Sequence, residues 1–472
     1  MSAANTPSSR KKWLTLSVTF LGTMTATLNT SIINLANPTL AREFQIGIDQ
    51  VQWISTLYLI IVSSLMLLFG RIGDRVGSYK IYLLGLALFV SGSLCCGLSD
   101  SFHFLLAARV IQAVGAAMML STGMALVTAA FPLEQRGRAL GLSMIAVGLG
   151  NMGGPSLGGL ILSYFHWSYI FFLNVPFGLI ALLLAIRFLR SPVPSDKSVF
   201  LPLDHLGALL LAVIISSLIL CLNGSFPYSG WFILLFAAAI PLFIRQEKRH
   251  PEPLWNFTLL KNQRFAFGNL LAFLSYFAQM AVFFLLPFYM EDLLALPTSS
   301  VALVIVLSPL CMAVVGPFSG ALSDKIGALR LMPIAFLLSI LSFVTLITLS
   351  DHSPLWQIAV SLILMGSGMG LLNTPNNSEI MTAAGKTYAG YASGFVGTTR
   401  NLAFCFGAAV SASVFPLLLR LFSVHHAHSV AYISALRVLI IAAALITSTG
   451  LVICLYLLKH QTPQQSHSRV KM

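Results

Sequence analysis

Charge is scarce in this chain, and acid is scarcer still: 9% of its 472 residues are charged, with 14 Asp and Glu against 27 Lys and Arg. Hydrophobic residues make up 57%, above the roughly 45–50% of soluble domains, which excludes a water-soluble core as the explanation. The net charge of +13 does not point to nucleic acid, because the basic residues stand singly in short turns instead of forming a patch. All six cysteines (Cys95, Cys96, Cys221, Cys311, Cys405, Cys454) fall inside apolar runs without metal-ligand spacing, so neither a disulfide framework nor a metal site is expected. No P-loop lysine and serine follow the Gly366, Gly368, Gly370 run. It is read as close helix packing, and no cofactor is expected.

What the chain has instead is apolar runs of about 20 residues, each long enough to cross a bilayer, about fourteen in all. The opening MSAANTPSSRKKW leads into an apolar run too long for a signal-peptide core, so Trp13 onward is read as a retained first span. Most basic residues fall on one side of the resulting topology, among them Lys11, Arg75, Arg136, Lys248, Lys325 and Lys459. The positive-inside rule then places both termini in the cytoplasm of a multi-pass plasma or inner-membrane protein. The expected division is a tail at 1–12, a six-helix bundle at 13–190, a linker at 191–263 with two extra spans (203–222 and 230–246), a second six-helix bundle at 264–458, and a tail at 459–472.

One pattern occurs twice, 250 positions apart. Gly70, Asp74, Arg75, Gly77 and Lys80 stand in GRIGDRVGSYK; Gly320, Asp324, Lys325, Gly327 and Arg330 stand in GALSDKIGALR. The chain therefore reads as a duplicated, all-α membrane protein whose halves rock about a central site. Glycine allows the tight turn, and each aspartate can meet the positive N-terminal end of a neighbouring helix and latch one face shut.

Two further spans carry unusual residues. Arg109 lies inside the apolar stretch LLAARVIQAVGAA with Gln112 one turn later. An arginine there costs about 2.5–3.5 kcal/mol on insertion scales unless it faces a bundle interior or water. Two readings follow, a relay or binding cation, or a side chain snorkelling to the outer interface. GLGNMGGPSLGG sets Gly150, Gly154 and Gly158 at four-residue spacing, with Gly159 adjacent and Pro155 between. That spacing allows close helix approach with a local bend, either as a packing groove or as a moving interface.

Together with Gly115 and the Trp167, Ile170, Phe171, Asn174, Pro176, Gly178 segment, these motifs resemble, in order and over nearly the whole chain, the major facilitator superfamily, and within it the fourteen-span drug/proton antiporters of the EmrB/QacA type. The resemblance implies two six-helix bundles plus two linker helices. It also implies a substrate cavity at the midplane, proton transfer involving Arg109, and a fifth-span motif that favours export. Three positions depart from the family pattern: Asn29 stands where an aspartate is usual, Ser168 where arginine is usual, and Ala113 where glycine is usual.

The first departure removes the carboxylate that trades a proton against a cationic drug. Among the fourteen acids the nearest alternative is Glu379, at the inner end of the twelfth expected span. A cavity holding Arg109 and Arg400 without a midplane carboxylate carries positive potential, which favours anionic or neutral amphiphiles. Other polar candidates are Asn34, Tyr276, Gln279, Asn373, Asn376 and Asn377. The 250-residue offset maps Asn29 onto Gln279 and suggests two amides facing across the pseudo-twofold axis. The cluster His425, His426, His428 is read as a solvated outer loop, and no metal is expected.

The expected function is secondary export of a small hydrophobic or amphiphilic molecule with protons as the coupling ion, and no enzymatic activity. The alternative is transport of a dedicated metabolite or lipid, as exporter, importer or uniporter. The partners are the small-molecule substrate and the bilayer, with no nucleic acid; the protein is expected to be a monomer, and a periplasmic adaptor is left open.

Overall fold

The computed structural model describes residues 9–46, 48–189, 204–222, 229–250, 257–385, 387–424 and 427–459. Among these residues the regular structure is helical throughout. The first half comprises α1 (Ser9–Glu43), α2 (Ile48–Val76), α3 (Ser78–Gly97), α4 (Phe102–Ala130), α5 (Arg136–Tyr164) and α6 (Asn174–Phe188). Two helices stand between the halves, α7 (His205–Leu222) and α8 (Ser229–Arg249). The second half comprises α9 (Gln263–Phe283), α10 (Leu307–Ile326), α11 (Ala328–Ile347), α12 (Leu355–Ala384), α13 (Ala389–Ser423) and α14 (His428–Lys459).

Against an expectation of fourteen spans, twelve helical segments among the described residues are long and apolar enough to cross a membrane. The segments α7 and α8 are not among them. The apolar stretch of α7 is the shorter Leu206–Leu218, and α8 closes on Arg245, Lys248 and Arg249. His425 and His426 of the outer histidine cluster lie outside the described residues.

Sequence dictates the two sharpest breaks. Gly77 is the single residue between α2 and α3, with φ 106°, and Gly327 separates α10 from α11 with φ 91°. Both angles lie where a Cβ is strained, so the second glycine of each repeated motif is required by the turn. Each turn is closed alike: the Gly77 N–H donates to the Gly73 carbonyl and the Gly327 N–H to the Ser323 carbonyl, both at 2.9 Å.

Within the first half α1 packs on α5 and α3 on α4; within the second, α12 packs on α10 and α11, and α9 on α13. The halves meet chiefly where α5 crosses α10 and α2 crosses α13, with α4 also against α13 and α5 against α12. Outward faces stay apolar, with Leu84, Leu183, Leu303, Phe318, Leu417 and Leu445 exposed. In water so much exposed apolar surface would drive aggregation; against lipid tails it costs nothing. Lipid also removes the hydrophobic drive between helices, leaving close fit and interhelical hydrogen bonds to hold them. The crossings are built accordingly. A Cβ on Gly70 would overlap the Gly390 carbonyl oxygen, and one on Gly320 would overlap that of Gly137.

Candidate substrate pathway and gate

An aspartate in the last turn of a helix is poorly placed, because the C-terminal end already carries partial negative charge. Asp74 sits so in α2 and Asp324 in α10. Each is compensated from the other half. The Asp74 carboxylate accepts the backbone N–H groups of Gly390 (2.5 Å) and Tyr391 (2.7 Å), in the first turn of α13. Asp324 accepts those of Gly137 and Arg138, both at 3.0 Å, in the first turn of α5. Both sets of bonds exist only while the halves are together at the end bearing the charged turns. The crossings continue inward from that end, with Thr398 Oγ1 donating to the Ser63 carbonyl at 3.4 Å and Gly148 set against Ala313. Lys80, Lys325 and Arg330 are exposed around this end.

The interior of the first half holds a connected polar network. Arg109 is 1% exposed, so the snorkelling reading fails: the side chain turns into the bundle, where α2 offers it partners. Its Nε donates to the Ile54 carbonyl (3.1 Å), its Nη1 to Gln112 Oε1 (2.6 Å), and its guanidinium lies 4.3 Å from the centre of the Tyr58 ring. Gln112 Nε2 donates onward to Ser93 Oγ (2.7 Å) and Asn29 Oδ1 (3.2 Å). Asn174 Nδ2 reaches the same Asn29 oxygen at 3.2 Å. Asn29 is fully buried and its oxygen takes both amide donors, while its Nδ2 has no hydrogen-bond partner among the described residues. The charge of Arg109 is thus met by a carbonyl, an amide and a π face, and not by a carboxylate.

The second half is arranged differently. Gln279 Nε2 donates to Ser275 Oγ at 3.0 Å, leaving its buried Oε1 without a partner among the described residues. Asn376 donates to the Gly268 carbonyl at 2.8 Å. Asn373 and Asn377 are buried one turn apart on α12. Tyr276 packs edge-on against Phe404 at 5.1 Å, with Arg400 beside its hydroxyl. Glu379 pairs with Arg264 at 3.7 Å, tying α12 to the start of α9.

The structure therefore brings together Asn29, Arg109 and Gln112, and separately Tyr276 with Arg400. It does not bring Asn29 to Gln279, because each is bonded inside its own bundle. Asn34 belongs to α1, within its span, and Pro155 to α5. Gly150 and Gly154 of α5 face Thr27 and Ser31 of α1, in the same half, and Ser31 Oγ donates to the Asn151 carbonyl at 3.0 Å. The glycine motif thus packs inside one bundle, with Gly158 buried and Gly159 partly so. Sequence reasoning missed Tyr58 and Ser93, and quoted Asn174 without assigning it to the site. A tyrosine or serine in an apolar helix bears no mark, but the position of Asn174 inside a recognised motif was a usable signal.

A helical membrane protein with two six-helix halves, repeated charged turns and a polar interior between apolar faces is a transporter by architecture. Residues 19–408 match the Major Facilitator Superfamily, and the chain belongs to it. It is 36% identical over 455 residues to the riboflavin transporter RibZ of Clostridioides difficile, covering 95% of this chain and 98% of that protein. It is 31% identical over 413 residues to the multidrug resistance protein Stp of Mycobacterium tuberculosis, covering 86% and 76%. The crystal structure of the human organic anion transporter MFSD10 shares the fold, with a TM-score of 0.67 at 18% identity, covering 92% of this chain and 99% of that one.

Proposed function

We propose that this chain is a secondary transporter, working by alternating access, whose substrate is a small aromatic molecule without fixed positive charge, a flavin being the first candidate. The observation that carries the reading is the Arg109 network: a buried guanidinium held by Ile54, Gln112 and Tyr58, with Asn29 where the related antiporters place a carboxylate. A permanent cation entering such a site meets an uncompensated like charge, whereas a neutral or anionic ring system meets amide donors and a cation. The similarity to RibZ supports a flavin within that class. Without a carboxylate or imidazole among the network residues named above, net direction follows the substrate gradient.

A second reading, proton-coupled drug efflux, is favoured by the similarity to Stp, with Glu379 or the gate aspartates carrying the proton. In either reading Asp74 and Asp324 latch the inner face, α7 and α8 complete fourteen spans, both termini are cytoplasmic, and the protein works as a monomer in the cytoplasmic membrane.

The test is counterflow of labelled riboflavin in proteoliposomes, beside a lipophilic dication and with or without a protonophore. Protonophore-insensitive riboflavin exchange without dication transport is the expected result. Protonophore-sensitive dication export would replace the first reading with the second.

A further inference from the structure

The helices α7 and α8 belong to neither half, and the gate described above gives them no role. Yet they rest on the α2–α13 crossing. Ala208, Leu211 and Ile215 of α7 and Phe243 of α8 share one buried cluster with Ile60 and Leu67 of α2 and with Tyr391, Ala392 and Val396 of α13. Their polar ends are clasped together beside it. Asp204, 2% exposed, caps α7 by accepting the Gly207 N–H at 2.7 Å, and accepts Gln246 Nε2 of α8 at 2.9 Å. The neighbouring Glu247 is equally buried, and a Cβ on Gly207 would run into carboxylate oxygens of both acids.

A carboxylate packed against apolar helices needs positive charge nearby, and for Glu247 the Arg71 guanidinium of the first charged turn is a source of it. Arg71 is 9% exposed, and its guanidinium lies 4.9 Å from the centre of the Tyr391 ring. It stands in the fields of Glu247 from α8, Asp74 from its own helix, and the tyrosines Tyr388 and Tyr391 from the start of α13. Tyr391 is also the residue whose N–H Asp74 grips. The hairpin thus reaches the latch by two means: its apolar face packs on Tyr391 and Ala392, and Glu247 acts on the Arg71 guanidinium that lies on the Tyr391 ring, whose residue donates its N–H to Asp74. The second latch has no counterpart, since Arg71 maps by the 250-residue offset onto Ala321.

We propose that the α7–α8 hairpin is a brace on the first latch, with Glu247 and Arg71 as positioning residues that hold the start of α13 where Asp74 can grip it. Its consequence is an asymmetric gate, in which the α2–α13 crossing is controlled from the linker and the α5–α10 crossing is not. The idea rests on the latch reading, and the experiment is chosen to separate the two.

In the full chain with its native cysteines removed, Ser63→Cys places a thiol in the closed α2–α13 crossing, where Ser63 is fully buried. Its rate of labelling by a hydrophilic maleimide reports opening of that face. Glu247→Gln keeps shape and removes charge, and at least a ten-fold faster labelling is expected, similar in direction to Asp74→Asn. Arg71→Gln is expected to speed labelling as well, and the Glu247→Gln, Arg71→Gln pair to be no faster than Arg71→Gln alone, which two independent packing roles would not give. If Asp74→Asn accelerates labelling and Glu247→Gln does not, the brace is refuted while the latch stands. If Glu247→Gln accelerates it and its effect multiplies in full with that of Arg71→Gln, the Glu247–Arg71 route is refuted. If Asp74→Asn itself leaves labelling unchanged, the latch reading falls and the brace with it.

Discussion

Neutralising the two gate aspartates separately and together tests the latch quantitatively. Each carboxylate accepts two backbone N–H groups from the first turn of a helix in the opposite half. An asparagine keeps the shape but offers one acceptor oxygen, and turns its NH2 toward a donor. The loss includes one hydrogen bond to a charged group, worth about 1.5–3 kcal/mol. A helix-terminus contribution of about 0.3–1 kcal/mol is lost as well. Some of this is recovered because an asparagine no longer opposes the C-terminal end of its own helix, so the net cost is about 2–3 kcal/mol per latch. That corresponds to a roughly 30- to 150-fold shift toward the open inner face. The Asp74 bonds, at 2.5 and 2.7 Å, are shorter than the 3.0 Å bonds of Asp324, so Asp74→Asn is expected to have the larger effect. If both latches resist the same rigid-body movement, their free energies add and the fold-changes multiply. The labelling rate of a cysteine at Ser63 reads the α2–α13 crossing, and one at Ala313, 7% exposed on α10 and set against Gly148 of α5, supplies a second reporter. Unchanged labelling at both sites in the double variant would refute the reasoning, since no rearrangement of neighbours supplies a second anion to those helix ends.

Asn29→Asp places a carboxylate one amide away from Arg109, on the order of 5–8 Å, where an effective dielectric of about 20 gives roughly 2–3 kcal/mol of attraction. Counterflow of a lipophilic cation is expected to rise and that of a neutral flavin to fall; an unaltered charge preference would remove the electrostatic account of selectivity. Arg109→Lys is expected to lower transport at least ten-fold while the protein still reaches the membrane, because an ammonium cannot reproduce the planar stacking on Tyr58 together with the bonds to Ile54 and Gln112. Near-normal transport by this variant would show that charge alone suffices. Gly320→Val drives a side chain into the Gly137 carbonyl, so labelling of a cysteine at Ala313 is expected to be fast irrespective of substrate, and a protected thiol there would argue that the α5–α10 crossing is not the gate.

How much of this was legible in the sequence depends on whether chemistry or geometry carried it. The gate aspartates and the glycines of their turns announced themselves by repetition, and the left-handed angles of Gly77 and Gly327 are what the motif requires. Their partners did not, because Gly390, Tyr391, Gly137 and Arg138 contribute backbone N–H groups, which every residue other than proline possesses. Arg109 and Gln112 were legible as a costly cation with an amide one turn away. Which way the arginine pointed was not, since that depends on Ile54 and Tyr58 of a helix about fifty residues distant. The pairing of Asn29 with Gln279 was a fair inference from the internal offset, but offset equivalence fixes position within a bundle and says nothing about contact across the axis. Asn29 is occupied by Gln112 and Asn174, and Gln279 by Ser275. The fifth-span glycines were legible as a packing face but not as a face turned toward α1.

The two halves share their gate and differ at their centre, and that contrast bears on what is carried. Both halves keep the turn, the aspartate and the helix end it caps, which the proposed latch requires. They do not share Arg109, whose counterpart at the 250-residue offset is Ala359. One half therefore presents a guanidinium among amides, and the other presents Tyr276, Gln279 and asparagines. A carboxylate to balance the guanidinium would have to come from the second half, but Glu379 is held by Arg264 and Asp324 by the start of α5. Under the proposed alternating access, the same unbalanced charge faces the two sides of the membrane in turn. The substrate itself is the remaining source of compensation, through an anionic group or the acceptor edge of a neutral ring.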